Sequence, residues 1–194
     1  MEFTTPKEVI ETLKKLNSAG HRAYLVGGSV RSILKGIEPK DWDITTDATP
    51  DDIQKIFEDS VYENDFGTVG VKTGSEDERI SIIEVTTFRK EEGYSDRRRP
   101  DSITFTKNIE EDLGRRDFTI NAIALSQGGE IIDPFKGQED LKLGIVRAVG
   151  NPKVRFEEDA LRLIRAVRIS TELNFEIEEE TQVAIKESSK LLDM

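Results

Sequence analysis

Two carboxylates separated by one residue, Asp41 and Asp43, are the first residues whose types and spacing could do chemistry. In an extended segment, side chains at positions i and i+2 point to the same face, so the two carboxylates would lie side by side. Adjacent carboxylates repel each other, and a bound divalent cation is the usual resolution. A solvated strand end can carry the same residues, so the pair alone leaves both interpretations open.

A glycine turn precedes the two acids. The apolar residues 24–26 lead into Gly27 and Gly28, and a short helical pattern follows with Arg31 one turn inside it. Glycine lets backbone N–H groups approach an anion, and the N-terminus of the next helix adds its positive dipole end. A phosphate-binding turn beside an acidic pair predicts phosphoryl or nucleotidyl transfer with Mg²⁺ at the reacting oxygens. A tight turn without a ligand is the simpler alternative.

Composition excludes several classes of protein. The chain has 194 residues, no cysteine and one histidine, His21, which argues against a disulfide framework, a zinc site and a serine–histidine triad. A reducing, cytoplasmic setting fits this composition. The sequence has no apolar run of about 18 residues, and its N-terminus is too charged for a signal peptide, so we expect a soluble intracellular protein without a membrane partner.

The charge distribution is uneven. The formal net charge is −11, which argues against a general nucleic-acid binder. Basic residues are nevertheless concentrated in a few places: Arg97, Arg98, Arg99, Arg115, Arg116, Arg155, Arg162, Arg165 and Arg168. A local cationic lining in an acidic body suits a polyphosphate, although solvated charged faces would give the same clusters.

Several elements must position these residues. Residues 6–19 have the spacing of an amphipathic helix, and Thr49 with Pro50 predicts the start of another. Residues 68–73 and 79–88 read as two strands that form a hairpin beside the strand of the acids. These patterns predict a mixed sheet with helices packed on it.

Three features between residues 84 and 121 are unusual for their local sequence, and each has a functional and a structural interpretation. Glu84 lies in the middle of an apolar strand, where it either faces the metal site as a third acid or points to solvent. The polar segment 89–100 has no periodicity, and loops of this length tend to be functional or disordered. Asn121 lies in an apolar run, where it either makes a specific hydrogen bond to a ligand or satisfies a helix cap or the core.

The pair Asn151-Pro152 marks the predicted domain boundary, because the chain changes there from mixed elements to helix only. Residues 155–173 read as one long helix with Asp159 and Arg162 on one face, and a final helix covers about 179–192. An ordinary salt-bridged surface helix would carry the same pattern.

The motifs together resemble a known family. The segments GGSVR with DWD, IEVTTFR, RRRPDSITF, RRDFTINA and EDALRLIRAVR occur in this order between residues 23 and 192, as they do in class II tRNA nucleotidyltransferases. That family comprises the CCA-adding enzymes and their bacterial poly(A) polymerase relatives. The resemblance implies an α+β fold, a nucleotidyltransferase palm with a small mixed, mainly antiparallel sheet flanked by helices. The head would cover residues 1–150, and a helical neck segment would cover residues 151–194.

The resemblance also implies site residues. Asp41 and Asp43 would ligate two Mg²⁺ ions, and Glu84 is a candidate third catalytic acid. Nine further residues would bind the nucleotide, with Gly28 and Arg31 at the triphosphate, Arg116, Asp117 and Asn121 at phosphate or ribose, Asp159 and Arg162 at the base, and Arg165 and Arg168 in support.

The implied activity is template-independent addition of CCA to tRNA 3′ ends from CTP and ATP. One carboxylate acceptor and one guanidinium donor can match the amino group and ring nitrogen that C and A share. The loop 89–100 matches the family's loop that helps the switch from CTP to ATP, and its full length argues against a CC-only enzyme. An A-adding enzyme or a poly(A) polymerase shares these motifs, and a nucleotide-binding module without turnover is the alternative from another class.

Two departures from the family are visible. Ser32 stands where the family usually has Asp, so one contact near the metal site is absent or replaced. The chain stops at Met194, part way through the family's neck, so we expect a fragment, an engineered head or a subunit. Its grip on RNA would then depend on the missing body and tail or on another chain, which makes the acidic net charge easier to understand.

Overall fold

The computed structural model describes residues 5–64 and 66–192. Within these residues the strands are β1 (Ala23–Val26), β2 (Asp43–Thr46), β3 (Ser60–Asn64), β4 (Thr68–Lys72), β5 (Ile82–Thr87), β6 (Arg89–Glu92), β7 (Ser102–Phe105), β8 (Ala124–Ser126), β9 (Ile131–Ile132), β10 (Ile145–Val146) and β11 (Glu176–Ile177). The helices are α1 (Lys7–Ser18), α2 (Gly28–Leu34), α3 (Pro50–Ile56), α4 (Glu78–Ser81), α5 (Ile109–Gly114), α6 (Gly137–Leu143), α7 (Pro152–Glu158), α8 (Leu161–Leu173) and α9 (Glu179–Ser188). Two 3₁₀ turns cover Thr119–Asn121 and Ser189–Leu192.

Seven of the described strands form one sheet in the order β3-β4-β5-β2-β1-β8-β9. The pair β2/β5 is parallel, and the other neighbours in this sheet are antiparallel. Strands β6 and β7 form a separate antiparallel hairpin. The predicted α+β fold with a mixed, mainly antiparallel sheet is therefore confirmed.

The two faces of this sheet have different roles. Ile44, Ile83 and Val85 belong to a buried cluster that also includes Val9 and Leu13 of α1. Because side chains alternate along a strand, the residues between them in sequence point to the other face. That face carries the acids of the candidate site.

The starts of two helices are determined by side chains that cap them. Helix α3 begins as expected, with Thr49 and Asp52 forming a reciprocal capping box and Pro50 in the first helical position. The predicted strand 79–88 is wrong at its start, where the short helix α4 precedes β5. The Asp77 side chain accepts a hydrogen bond from the backbone N–H of Arg79, which begins that turn.

The C-terminal region departs from the prediction of helices only. Strand β11 pairs in parallel with β10, and the predicted long helix 155–173 is interrupted between α7 and α8. A second core joins this region to the sheet side, since Phe118 and Ile120 share a cluster with Phe156 and Leu163. The boundary at residue 150 thus crosses a common hydrophobic core.

No helix among residues 5–64 and 66–192 combines the length and apolar character that a membrane span requires.

Replacing Lys136 by glycine should stabilise the protein. Lys136 precedes α6 in a left-handed conformation, with φ 59° and ψ 32°, which costs a residue with a Cβ about 1–2 kcal/mol. Glycine adopts this conformation freely but loses more entropy on folding, so we expect a net gain of about 0.5–1 kcal/mol. The urea midpoint should rise for Lys136→Gly and fall for the control Lys142→Gly inside α6. A lower midpoint for Lys136→Gly contradicts the prediction.

Candidate active site

The glycine turn and the acidic pair meet in space. Gly27 has a positive φ of 72°, and a Cβ at this position would lie 3.2 Å from Oδ2 of Asp43. A Cβ on Gly28 would lie 4.0 Å from Oδ1 of Asp41. The turn between β1 and α2 therefore lies directly against the two carboxylates.

Trp42 explains why the acids share one face. Its side chain is buried in the cluster beneath the sheet, so Asp41 and Asp43 on either side of it turn the other way. The strand itself begins at Asp43 and Asp41 lies in the preceding loop, so the extended segment expected for both acids does not include Asp41. Asp41 is exposed and Asp43 is half-buried.

The electrostatics of Asp43 reflect this crowding. Burial raises the pKa of Asp43, the neighbouring charge of Asp41 raises it further, and Arg116 partly opposes both. Two oxygen-donor side chains in this arrangement fit a hard divalent cation, which would relieve their repulsion.

Glu84 lies beside this pair but does not complete a group of three. It is the register partner of Asp43 on β5, so it points to the same face. Among the described residues, no three acidic or histidine side chains come close enough to hold a metal ion together. The role of Glu84 as a third acid therefore stays a prediction.

Two half-buried arginines lie against the glycine turn. Nη2 of Arg31 lies 3.7 Å from the Cβ position of Gly28, and Nη1 of Arg116 lies 3.5 Å from that of Gly27. The Nε atoms of both arginines are buried without a hydrogen-bond partner among the described residues. An unsatisfied buried donor is costly, so this side of the site suits an anionic ligand.

A chain of polar contacts fixes Arg31. Its Nη1 donates to Oδ1 of Asn121 at 2.5 Å, and Nδ2 of Asn121 donates to Oδ1 of Asp117 at 3.1 Å. Nε and Nη2 of Arg165 both donate to Oδ2 of Asp117, at 2.8 and 2.6 Å. Asn121 thus makes the specific side-chain bonds that its place in an apolar run requires. The chain links α2 to α8 across the 3₁₀ turn Thr119–Asn121.

The carboxylate of Asp117 should contribute to stability in a pH-dependent way. Burial raises its pKa, but the charge of Arg165 and the hydrogen bonds from Asn121, Arg165 and Phe118 outweigh burial, so the pKa lies below its usual value. A carboxylate with a lowered pKa stabilises the fold above its unfolded pKa of about 3.9, and this contribution is lost as the pH falls through the folded value.

We therefore expect Asp117→Asn to lower the free energy of unfolding at pH 7 by about 2 kcal/mol. The difference between wild type and variant should shrink below about pH 4, where the wild-type carboxylate becomes protonated. Urea denaturation between pH 7 and pH 3 measures it. A difference that stays constant over this range contradicts the assignment.

The two residues predicted to read the base are not arranged for it here. Asp159 lies between α7 and α8, outside either helix, and its Oδ1 accepts from the backbone N–H of Leu161 at 2.9 Å. Arg162 is buried, and its guanidinium donates to Oε2 of Glu158 at 2.8 Å and to the carbonyl of Arg115 at 3.0 Å. Arg168 is mostly exposed, and its Nε lies 3.8 Å from Oε1 of Glu172. The prediction that Asp159 and Arg162 share one helix face is thus wrong for Asp159.

Part of the loop predicted at residues 89–100 forms a regular strand. Its first four residues form β6, and the remainder turns back into β7. The carbonyl of Arg97 accepts a hydrogen bond from the backbone N–H of Ala160 at 2.9 Å. The loop tip therefore contacts the interruption between α7 and α8, next to Asp159.

Sequence reasoning missed Asp112 and Glu158. Asp112 is fully buried, and its carboxylate bonds to Thr45, Arg115 and Arg116. The signal was available, since Asp112 stands four residues before Arg116 in a helical pattern. Glu158 stands four residues before Arg162 and pairs with it in the same way.

The sheet, the glycine turn and the paired acids define the class: this is a nucleotidyltransferase fold. The chain belongs to the family described as the poly A polymerase head domain, whose model matches residues 23–147.

Named relatives agree with this assignment. The chain is 50% identical over 186 residues to the CCA-adding enzyme of Lactobacillus helveticus, a match that covers 95% of this chain and 45% of that relative. It resembles the crystal structure of the Bacillus stearothermophilus CCA-adding enzyme in complex with CTP, with TM-score 0.82, 41% identity, and coverage of 93% of this chain and 43% of that one.

A third match is a tRNA nucleotidyltransferase complexed with a primer tRNA and an incoming ATP analog, with TM-score 0.71 and 32% identity over 93% of this chain and 50% of that one. The chain thus spans about half the length of the relatives it matches.

Proposed function

We propose that this chain is the catalytic head of an enzyme that adds CCA to tRNA 3′ ends from CTP and ATP. The observation that carries the proposal is the pair of buried, unsatisfied Nε atoms of Arg31 and Arg116, which flank the acids Asp41 and Asp43 among the described residues. A nucleoside triphosphate supplies the anion that the two arginines would bind. Its phosphate oxygens would also complete the coordination of a cation held by the two acids. One structural relative is a complex with CTP, and another is a complex with a primer tRNA and an incoming ATP analog.

We assign Mg²⁺ as the cofactor, held by Asp41 and Asp43. The donor set fits, because Mg²⁺ prefers carboxylate oxygens and completes its shell with water and substrate phosphates. When bound, the ion would activate the primer 3′-hydroxyl and neutralise charge on the departing pyrophosphate.

Some of these residues would contact the nucleotide directly, and others would position the residues that do. Gly28 and Arg31 would bind the triphosphate from the α2 side, and Arg116 would bind it from the α5 side. Asp117 and Asn121 hold Arg31 in its orientation, and Arg165 fixes Asp117 in turn. A guanidinium fork restrained in this way loses less entropy when it binds phosphate.

Base selection would require a local rearrangement. Arg162 must break its ion pair with Glu158 before it can face a base together with Asp159. The hydrogen bond from the N–H of Ala160 to the carbonyl of Arg97 lies next to Asp159 in the chain. Arg168 would remain a peripheral support. We assign residues 1–150 to the head and 151–194 to the neck segment, and we place the activity in the cytoplasm on the cysteine-free composition.

The test is to incubate the chain with Mg²⁺, labelled CTP or ATP, and tRNA that lacks its CCA end. Extension by C, C and A supports the proposal, and addition of A alone would assign an A-adding enzyme or a poly(A) polymerase instead. Calorimetric titration with each of the four nucleoside triphosphates is the second measurement. Binding of CTP and ATP over UTP and GTP without extension would assign a nucleotide-binding module, and no binding would overturn the proposal.

A further inference from the structure

Helix α5 carries a fully buried carboxylate, Asp112, whose two oxygens have different partners. Its Oδ1 accepts from Nε of Arg115 at 2.9 Å and from the backbone N–H of Arg89 at 3.3 Å. Its Oδ2 accepts from the hydroxyl of Thr45 at 3.1 Å and from Nη2 of Arg116 at 3.4 Å. Burying a charge is costly unless it is paired and hydrogen-bonded, and these partners meet that requirement. Oδ2 thereby contacts a residue of the candidate active site.

The partners of Oδ2 connect Asp112 to the acids. Thr45 follows Asp43 by two residues on β2, so its side chain lies on the same face of the sheet. Nη1 of Arg116 lies 3.5 Å from the Cβ position of Gly27, and Oδ2 of Asp43 lies 3.2 Å from the same position. The guanidinium of Arg116 therefore extends from the Asp112 carboxylate to the glycine turn beside the acids.

The charges around Asp112 do not cancel. Three arginines, Arg89, Arg115 and Arg116, lie around the carboxylates of Asp112 and Glu91, and none of the five side chains is more than 17% exposed. Arg89 and Arg115 both pair with Glu91, at 2.6 and 3.1 Å. Arg115 also makes the shorter of the two arginine bonds to Asp112. The surplus positive charge of this cluster therefore lies mainly on Arg116, whose Nε is buried without a hydrogen-bond partner among the described residues.

We propose that Asp112 is a positioning residue for triphosphate binding, because it holds the guanidinium of Arg116 in the orientation that faces a phosphate. A guanidinium that is restrained before binding loses less entropy when it binds. Asp43 also lies near Arg116, but in the proposed function its carboxylate binds the cation, which leaves Asp112 to orient the arginine. The inference rests on the proposed function, since it takes the triphosphate to lie against Arg116.

Electrostatics alone predicts the opposite effect of removing this carboxylate. A negative charge close to an anion site repels the anion, so its removal should tighten binding. Asparagine keeps the size of the Asp112 side chain, but its amide makes no charge-assisted bond to the guanidinium of Arg116. The sign of the change in affinity for Asp112→Asn therefore separates a role in orientation from a simple effect of charge.

Calorimetric titration with CTP and with inorganic tripolyphosphate, in EDTA and again with Mg²⁺, measures the affinity without turnover. We expect Asp112→Asn to raise both dissociation constants about tenfold, which corresponds to 1.4 kcal/mol. In primer extension the same variant should raise KM for CTP and leave KM for the primer unchanged. Unchanged or tighter binding by Asp112→Asn would overturn the inference.

Asp47→Asn is the matched control. Asp47 directly follows the far end of β2, its side chain is 12% exposed, and its carboxylate pairs with Arg22 at 3.1 Å. Its replacement removes the same charge and an arginine partner, so it should lower the melting temperature and leave both dissociation constants unchanged. A tenfold loss of affinity in this control would show that any lost ion pair has the same effect, and it would also overturn the inference.

The variant Arg116→Gln shows whether Asp112 acts through the arginine. In this background Asp112→Asn should cause no further loss of affinity, because the group that it orients is absent. Equal losses in the two backgrounds would assign Asp112 a structural role instead. If Asp112→Asn does not fold, Thr45→Val removes one hydrogen bond to Oδ2, and it should raise the dissociation constants about threefold in the wild-type background and not in Arg116→Gln.

The wild-type titration separates this inference from the proposed function. A wild-type chain that binds neither CTP nor tripolyphosphate overturns the proposed function, and the role of Asp112 is lost with it. A wild-type chain that binds both, with an Asp112→Asn variant that binds them equally well, retains the proposed function and loses the positioning role alone.

Discussion

Replacing Asp43 by asparagine should abolish metal-dependent nucleotidyl transfer while making the metal-free protein more stable. The variant removes one of two carboxylates that would hold Mg²⁺, and we expect primer extension to fall by about 10³-fold, or about 4 kcal/mol of transition-state stabilisation. Thermal unfolding in EDTA and primer extension in Mg²⁺ measure the two effects on the same sample.

The stability gain follows from the sign of the pKa shift. Burial and Asp41 raise the pKa of Asp43, so its contribution to stability is most favourable below its unfolded pKa of about 3.9 and is lost as the pH rises through the folded value. At neutral pH the ionised carboxylate therefore destabilises the metal-free protein, and its neutral amide should add about 1 kcal/mol. The gain should disappear in acid, where both side chains are uncharged.

Glu11→Gln on α1 is the control, because it removes the same charge from an exposed position on the other side of the sheet. It should leave both activity and stability nearly unchanged. If Asp43→Asn instead lowers the melting temperature in EDTA, Asp43 has a structural partner and its metal role is doubtful.

Replacing Gly137 by alanine should destabilise the protein more than any other glycine-to-alanine substitution after residue 97. A Cβ on Gly137 would lie 2.1 Å from the carbonyl oxygen of Thr119 and 2.8 Å from Cγ1 of Ile123. The first contact is with backbone, which cannot rotate away as a side chain can. We expect a loss of about 3 kcal/mol in the free energy of unfolding, the upper range for overpacking.

The effect should extend to ligand binding, because Thr119 begins the 3₁₀ turn that ends at Asn121, the partner of Arg31. Helix propensity opposes the prediction, since alanine is favoured over glycine in a helix by about 1 kcal/mol. Urea denaturation and CTP titration would therefore give a clear answer. A midpoint above that of wild type would show that propensity decides the outcome. Lys136→Gly, one residue earlier, provides the contrast, since it should stabilise.

The sequence predicted that the glycine turn lies beside the two acids, and the reason is local. The buried Trp42 between Asp41 and Asp43 turns both acids to one face, and a glycine turn must precede α2 where the backbone approaches the acids. Both features depend on residues close in sequence. The same holds for Asn121, whose place in an apolar run already required a partner.

The sequence did not predict the interruption at Asp159, because its cause is remote. The N–H of Ala160 donates to the carbonyl of Arg97, more than sixty residues earlier, and the helical pattern of residues 155–173 carries no sign of that contact. The burial of Arg162 likewise depends on the carbonyl of Arg115 in a different element. Periodicity describes one element at a time, and these contacts join two.

The shared core of Phe118, Ile120, Phe156 and Leu163 has a consequence for cooperativity. Segments that bury apolar surface against each other open together, so amide hydrogen exchange in α7 and α8 should have the same protection as the turn at Thr119–Asn121. The helices after residue 151 would then belong to the folding unit that carries the arginine-binding Asn121. Cutting the chain at the predicted boundary would remove most of a hydrophobic core and leave Phe118, Ile120 and Val146 exposed to water.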